Sequence, residues 1–428
     1  MTSLDWGRDE AIALSRSQQN IYNGVLQDSD PTLYLVARTY RFLPVATERL
    51  VAALTATVMK NPVQLCVLRA AAVENGYPSL VPELSVDDIV TIVGDSQSGA
   101  DDGAEHLRRA WKTGILDAPL VRYVVRTDVD GLVCGLDAST HHILLDGGAT
   151  GIIEADLGEY LSTSACDEMP SARDGLIRLA AAHRREATKV DEAHERLSDS
   201  VRRELAEDAS GGHSDANTPG AAARGVLHES TRISGRAYDA LAALSEREQV
   251  PVNVLVTAAA VAVVAGLRQN TSNLLIHATD NRFGEPDLDV ATCLVNSVAQ
   301  PVRFAPFASV EDVVRILDRG YVRAVRRKWL REEHYRRMYL AINRTQHVEA
   351  LTLNFLPEPC APALRPHLSE APATTAIGPV ETMAVAGVFD DEQRCLDIAI
   401  WDRADVPAPV GGVAGRIATA LELMPKMW

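Results

Sequence analysis

Apolar and polar positions along the chain fall into strand and helix periods in turn. Residues 33–42 read as a strand. Within 47–59 the apolar Leu50, Val51, Leu54 and Val58 recur at helical spacing, which marks one side of a helix for burial. Strand patterns follow at 64–72, 88–93, 120–127 and 132–139, and helical ones at 104–112 and 152–161. Asp128-Val129-Asp130-Gly131 separates two of these strands, and that turn composition predicts a hairpin. Farther on, 174–207 is a charged helix, and 208–225, with its Ser-Gly-Gly-His-Ser-Asp-Ala-Asn-Thr-Pro-Gly run, has the composition of a mobile surface loop. Helices are predicted over 234–247 and 252–266, strands over 273–278, 297–304, 350–355, 383–389 and 395–401, and a last helix over 412–423. Strands interspersed with helices imply an α+β architecture in which helices cover a sheet.

Length sharpens this. A chain of 428 residues that is 46% hydrophobic is long for one core and suited to two. The change to charged helix and loop composition places the boundary near 166–174, which makes 1–168 an N-terminal lobe and 169–428 a C-terminal lobe. The N-terminus has no basic region followed by an apolar run, and the longest apolar stretch, 254–267, is too short and too rich in alanine to span a bilayer. No membrane span is expected. Cys66, Cys134, Cys166, Cys293, Cys360 and Cys395 are scattered without C-x-x-C pairing, so buried thiols are expected rather than disulfides or zinc ligands, and the compartment reads as cytoplasmic.

A net charge of −16 opposes binding to phosphate backbones, so nucleic acid is not expected as a partner. Arg323, Arg326, Arg327, Lys328, Arg331, Arg336 and Arg337 are the local exception; on one helix they form a broad basic face, either solvated or docking an acidic carrier protein or a phosphorylated pantetheine donor. The chain has no Gly-rich phosphate loop, no HExxH and no G-x-S-x-G, which removes support for NTP hydrolysis, zinc proteolysis and serine hydrolysis; no metal site is expected.

The candidate chemistry lies at the end of the hairpin, in His141-His142-Ile143-Leu144-Leu145-Asp146-Gly147. From this composition such a string arises by accident in roughly one sequence in a thousand. A neutral imidazole can take the proton of an amine or alcohol as it attacks a thioester carbonyl, with no metal required. Side chains alternate along a strand, so His141 and His142 face opposite ways and one of them is structural. Asp146 reads either as a carboxylate orienting the base or as a structural residue. Gly147 and Gly148 let the backbone approach a substrate, or simply turn the chain into the next helix, whose N–H groups point toward a developing oxyanion. Asn296 reads as a hydrogen-bond donor to substrate or as a polar strand end.

Together with Leu14-Ser15-Arg16-Ser17-Gln18-Gln19-Asn20-Ile21-Tyr22, Asn281-Arg282 and Cys293-Leu294-Val295-Asn296-Ser297, this motif resembles the condensation-domain superfamily of HHxxxDG acyltransferases. That superfamily includes nonribosomal peptide condensation domains, free-standing condensation enzymes and polyketide-associated acyltransferases. The motifs occur in the family's order and cover most of the chain. Lys60-Asn61-Pro62-Val63-Gln64-Leu65 matches the family's Arg-His segment only loosely, and the Asp-Phe-Gly-Trp-Gly motif of the plant acyltransferases is absent. The resemblance implies two chloramphenicol-acetyltransferase-like lobes, mixed sheets covered by helices, forming a V with a central tunnel. It implies His142 as the catalytic base, His141 turned into the N-terminal lobe, Asp146 paired with Arg282 to lock the loop with Gly147, and Gly148 and Asn296 beside substrate. The expected activity is that of a free-standing condensation enzyme making an amide or ester in nonribosomal peptide or polyketide biosynthesis. No cofactor is expected to stay bound; the donor is carried on the phosphopantetheine of an acyl or peptidyl carrier protein or on CoA, and the acceptor is a small molecule. A CoA-dependent O-acyltransferase of the lipid or wax-ester type and a catalytically silent docking module are the alternatives.

Overall fold

Capping chemistry starts the first helix. Ser15 accepts a hydrogen bond from the Gln18 N–H while the Gln18 side chain accepts from the Ser15 N–H, a reciprocal box that opens α1 (Arg16–Asp28) just after the short strand β1 (Ile12–Ala13). The computed structural model describes residues 11–70, 76–94, 102–163, 169–208, 222–268, 272–304, 308–345, 350–407 and 411–428. Continuing along the chain, the elements are β2 (Leu35–Ala46), α2 (Thr47–Lys60), β3 (Cys66–Arg69), β4 (Ser79–Pro82), α3 (Val86–Ile89), β5 (Val90–Gly94), α4 (Gly103–Trp111), β6 (Val121–Thr127), β7 (Leu132–His141), α5 (Gly147–Ser162) and α6 (Ala172–Asp208). They are followed by β8 (Ala223–Ser234), α7 (Arg236–Glu248), α8 (Val252–Arg268), β9 (Ser272–Thr279), β10 (Asn296–Arg303), α9 (Val310–Val325), α10 (Glu332–Asn343), β11 (Ala350–Leu356), β12 (Ala373–Ile377), β13 (Pro379–Val380), β14 (Ala384–Asp390), β15 (Cys395–Arg403) and α11 (Val413–Met427).

The chain divides into two compact units. The first comprises Met1–Lys189, Asp280–Val295 and Cys360–Pro379; the second comprises Val190–Thr279, Asn296–Pro359 and Val380–Trp428. The first unit thus runs past the boundary expected at 168 and takes in two segments from the second half of the sequence, which a division by linear position does not provide for. Residues 164–168, where that boundary was read and where Cys166 lies, are outside the described residues. So are 209–221 of the expected loop, whose end, from Ala223, is the start of β8.

In the first unit a mixed sheet has the order β12-β2-β7-β6-β5, with only β5 and β6 parallel. The expected hairpin is β6–β7, and its turn is closed by Asp128, whose Oδ1 accepts from the N–H groups of Asp130 (3.0 Å) and Leu132 (2.9 Å). A second sheet orders β1-β4-β3. The core packs Leu50, Leu54 and Val58 of α2, Leu107 and Trp111 of α4, Val121 and Val125 of β6, and Ile153 and Leu157 of α5. In the second unit the strands run β10-β9-β11-β14-β15-β8, with β9–β11 and β11–β14 parallel and the rest antiparallel. Its core is built on the Ala- and Val-rich α8.

No single helix among the described residues is long and apolar enough to cross a membrane; α7 and α8, which together have the composition, meet at 110°. Cys66, Cys293, Cys360 and Cys395 are buried and Cys134 is exposed.

The basic run does not form one helical face. α9 ends at Val325 and α10 begins at Glu332, so the arginines are divided between two helices and the turn joining them. Arg327 pairs with Glu204 at 2.8 Å, Arg331 with Glu333 at 2.7 Å, and Arg336 with Glu332 at 2.7 Å and with Glu381 at 2.5 Å. These carboxylates neutralise much of the charge that a carrier-docking face would present.

Candidate active site

Alternation along β7 sorts its side chains between two helical layers. Ser139 lies on the α4 side, near Gly103, while Leu136, Ala138 and Thr140 line a cavity together with Thr150, Ile153 and Leu157 of α5. His141 continues the first set. It is fully buried, stacked on Tyr34 with ring centroids 5.6 Å apart and meeting Trp111 edge-on at 4.9 Å. Its Nδ1 accepts from the Ile143 N–H at 3.1 Å, which leaves the ring proton on Nε2. Burial, with a smaller contribution from His142, pushes its pKa down to about 3, so the ring stays neutral and structural.

His142 sits one residue beyond the strand, half-buried. Its N–H donates to the Tyr34 carbonyl at 2.8 Å, which fixes the backbone from which the ring projects. Nδ1 lies 3.2 Å from the Leu145 carbonyl oxygen. A carbonyl can only accept, so Nδ1 carries a proton, and in the neutral ring the lone pair is on Nε2. Among the described residues Nε2 has no hydrogen-bond partner. The Cδ2 edge rests against Gly378, which has φ +89° and whose added Cβ would stand 3.3 Å from that carbon. Close approach and a left-handed backbone both call for glycine there.

Asp146 is bound elsewhere. Its carboxylate caps α5 by accepting from the Ala149 N–H at 2.7 Å, accepts from the Leu294 N–H at 2.7 Å, and meets Arg282 Nη1 at 3.0 Å. Arg282 also donates to Asp280 at 3.1 Å, to the Val290 carbonyl at 3.1 Å and to the Thr292 carbonyl. Burial disfavours the guanidinium charge, but Asp146 and Asp280 outweigh it and hold its pKa above the usual value. The pair is therefore a desolvated, saturated lock between the histidine loop and the 280–295 segment, both in the first unit. The orienting partner of His142 is a backbone carbonyl, not this carboxylate.

Gly148, expected beside substrate, packs against that lock: a Cβ there would fall 2.4 Å from Asp280 Oδ2 and 2.6 Å from Arg282 Nη1. Gly147 has nothing within 4 Å of an added Cβ, so it is the glycine with space before it. Asn296, also expected beside substrate, is buried in the second unit; its Nδ2 donates to the Lys328 carbonyl and its Oδ1 accepts from the Glu332 N–H at 3.4 Å, so both ends of the amide hold the α9–α10 turn.

The site residues missed in the sequence are supports. Gln18 Nε2 donates to the Ile143 carbonyl at 2.9 Å, and Ser15 Oγ to the Cys293 carbonyl at 2.9 Å, so the N-terminal motif braces both the histidine loop and the 293 segment. His183 donates from Nδ1 to the Ala13 carbonyl (2.8 Å) and accepts at Nε2 from Thr292 (2.9 Å). The Leu14–Tyr22 motif was the available signal for Gln18 and Ser15. Leu145 acts through its carbonyl and Gly378 through having no side chain, and neither leaves a mark in residue type.

This fold has known counterparts. The chain superposes on the first condensation domain of the calcium-dependent antibiotic synthetase, in complex with a substrate analogue, with a TM-score of 0.75 and 16% identity over 98% of both chains. With a mutant starter condensation domain of rhizomide synthetase RzmA in complex with C8-CoA the TM-score is 0.72, at 14% identity over 97% of this chain and 94% of that one. The chain thus has the condensation-domain fold. In sequence it is 60% identical over 437 residues, 100% of this chain, to a protein named isonitrile lipopeptide synthase from Mycobacterium marinum (strain ATCC BAA-535 / M). It is 62% identical over 422 residues, 97% of this chain, to the protein of that name from Mycobacterium tuberculosis (strain ATCC 25618 / H37Rv). It spans 31% and 16% of the lengths of those two relatives. No family model matches the chain.

Proposed function

We propose that this chain is a condensation-type acyltransferase of lipopeptide biosynthesis, joining an acyl or aminoacyl donor held as a phosphopantetheine thioester to an amine or hydroxyl. The observation that carries the reading is the His142 ring, whose Nδ1–H lies on the Leu145 carbonyl, so that the neutral imidazole has its lone pair on Nε2. The acceptor nitrogen or oxygen attacks the thioester carbon as Nε2 takes its proton. The tetrahedral intermediate then breaks its C–S bond, and the leaving thiolate takes the proton back from the imidazolium, which restores the neutral base. The relatives' name supports the lipopeptide setting. A carrier protein is the partner in this reading; CoA is the second source of the thioester, favoured by the neighbour that holds C8-CoA. Buried thiols fit a cytoplasmic setting. A silent docking module has no use for a base held in this tautomer.

The test is intact-mass monitoring of acyl loss from a panel of acyl-carrier proteins and matching acyl-CoAs, offered amine and alcohol acceptors, with wild type and His142→Ala. Product that requires His142 in a folded protein supports the reading. Tight carrier binding without turnover from any donor, unchanged by the substitution, refutes it and leaves the docking module.

A further inference from the structure

The turn that leads from His142 to the Leu145 carbonyl is gripped by side chains. The Ile143 N–H donates to His141 Nδ1 at 3.1 Å. In the next peptide the Ile143 carbonyl accepts from Gln18 Nε2 at 2.9 Å, while the Leu144 N–H donates to the His141 carbonyl at 2.9 Å. Farther on, Asp146 is fixed as the cap of α5. Peptide planes are stiff, so only the torsions of Leu144 and Leu145 are left between these anchors. The place of the Leu145 carbonyl, 3.2 Å from His142 Nδ1, follows from where Ile143 is held.

Gln18 is itself held in one orientation. Its Oε1 accepts from the Ser15 N–H at 3.0 Å, and its Nε2 also lies 3.4 Å from Thr292 Oγ1. His183 on α6 decides what Thr292 can offer. The His183 Nδ1 proton goes to the Ala13 carbonyl at 2.8 Å, and burial pushes the pKa of the ring down to about 4, so it is neutral and its Nε2 only accepts. Thr292 must therefore donate its one hydroxyl hydrogen to His183, at 2.9 Å, and turns lone pairs toward Gln18. A reversed amide would set Oε1 against that oxygen and against the Ile143 carbonyl, and Nε2 against the Ser15 N–H. Gln18, Thr292, Ile143 and His183 are all buried, so solvent does not make good a lost partner, and such acceptor–acceptor and donor–donor contacts are costly.

We propose that Gln18 is a positioning residue for the proton transfer: ordered by Thr292 and His183 behind it, it holds the Ile143 carbonyl, keeps the Leu145 carbonyl on His142 Nδ1, and so leaves the lone pair of the neutral ring on Nε2. The structural part of this stands by itself; its consequence for turnover rests on the acyltransferase reading above.

The experiment uses the full chain labelled with nitrogen-15 in histidine at about pH 8, above the ordinary histidine range, with the His142 signals assigned by their loss in His142→Ala. The ring nitrogens report the ratio of the Nδ1–H to the Nε2–H form, and turnover of the thioester panel is followed beside it. Thr292→Val keeps the volume and removes the hydroxyl. It is expected to lower the ratio by about three- to tenfold, the worth of one hydrogen bond, and to lower kcat by up to the same factor with KM unchanged. Thr292→Ser, which keeps the hydroxyl, should restore both. Thermal unfolding confirms that each variant is folded; should Thr292→Val not fold, Gln18→Met, which removes the amide at similar length, is read in its place. A lower thermal midpoint with the ratio unmoved, or a shifted ratio at unchanged kcat, overturns the positioning role even when product forms. A ratio that shifts as stated, with no product from any thioester, upholds the hold on the His142 tautomer and refutes the acyltransferase reading.

Discussion

Removing the carboxylate of Asp146 should damage the protein through its fold before its chemistry. Asp146→Ala leaves Arg282, which is 7% exposed in its side chain, without its buried counter-ion, and breaking one partner of such a pair costs about 3–5 kcal/mol. It also removes the cap of α5, worth about 1 kcal/mol, and the acceptor of the buried Leu294 N–H, worth about 1–3 kcal/mol. The contributions overlap, since Asp280 and two carbonyls still hold Arg282. We expect a total of about 4–6 kcal/mol, against the 5–15 kcal/mol typical of whole domains, so the variant should be marginal at 37 °C. Asp146→Asn keeps an oxygen for the cap and removes only the charge. Its loss should be about 3 kcal/mol, and adding Arg282→Gln should recover part of it, with a coupling of about 2 kcal/mol. Urea unfolding followed by circular dichroism and by tryptophan fluorescence measures wild type, Asp146→Ala, Asp146→Asn, Arg282→Gln and the double variant. An Asp146→Ala variant within about 1 kcal/mol of wild type would refute the lock. An Asp146→Asn variant of wild-type stability without transfer activity would instead put the carboxylate in the catalytic step.

Three further outcomes are expected. His142→Ala should reduce transfer by about 10²–10⁴-fold with little change in stability, whereas His141→Ala should open a void between Tyr34 and Trp111 and cost about 2–4 kcal/mol; equal stability losses in the two variants would contradict the division of roles. Burial pushes the pKa of His141 down to about 3 and those of His183 and His277 to about 4, below the unfolded value of about 6.5. The unfolded chain then binds the extra protons as pH falls through 6.5, so between pH 7 and 5 each histidine should withdraw about 2 kcal/mol of stability, and urea midpoints that hold steady or rise toward pH 5 would exclude this. Within α5, Gly151→Ala meets open space and should gain up to about 1 kcal/mol, while Gly158→Ala sets a Cβ 2.2 Å from the Ala363 carbonyl carbon and should lose about 1–3 kcal/mol; like-signed shifts in thermal midpoint would show that the 360–368 segment yields.

Periodicity alone determined much of this protein. The hairpin, the helices beginning at 47, 104 and 252, and the strands near 273, 297, 350 and 395 were legible because each has an apolar face or a run long enough to show its period, and burial is decided residue by residue along one element. The motif His141 to Gly147 was legible as chemistry because imidazole is rare and its spacing to Asp-Gly is specific. Tertiary structure decided what depends on partners far away in sequence. Strand β12 joins the N-terminal sheet beside β2 across more than 300 residues, and nothing in its small, half-exposed side chains announces that edge. For Gly148 and Asn296 the residue type shows the capacity to approach or to donate, while only packing shows that Asp280 and Arg282 lie against the one and the Lys328 carbonyl accepts from the other. The basic run reads as one helix until Asn296 and the ion pairs of Arg327 and Arg331 hold a turn at its centre. The tautomer of His142, on which the proposed chemistry turns, is set by a main-chain carbonyl three residues on, and every residue has one; which of them faces the ring is a matter of fold.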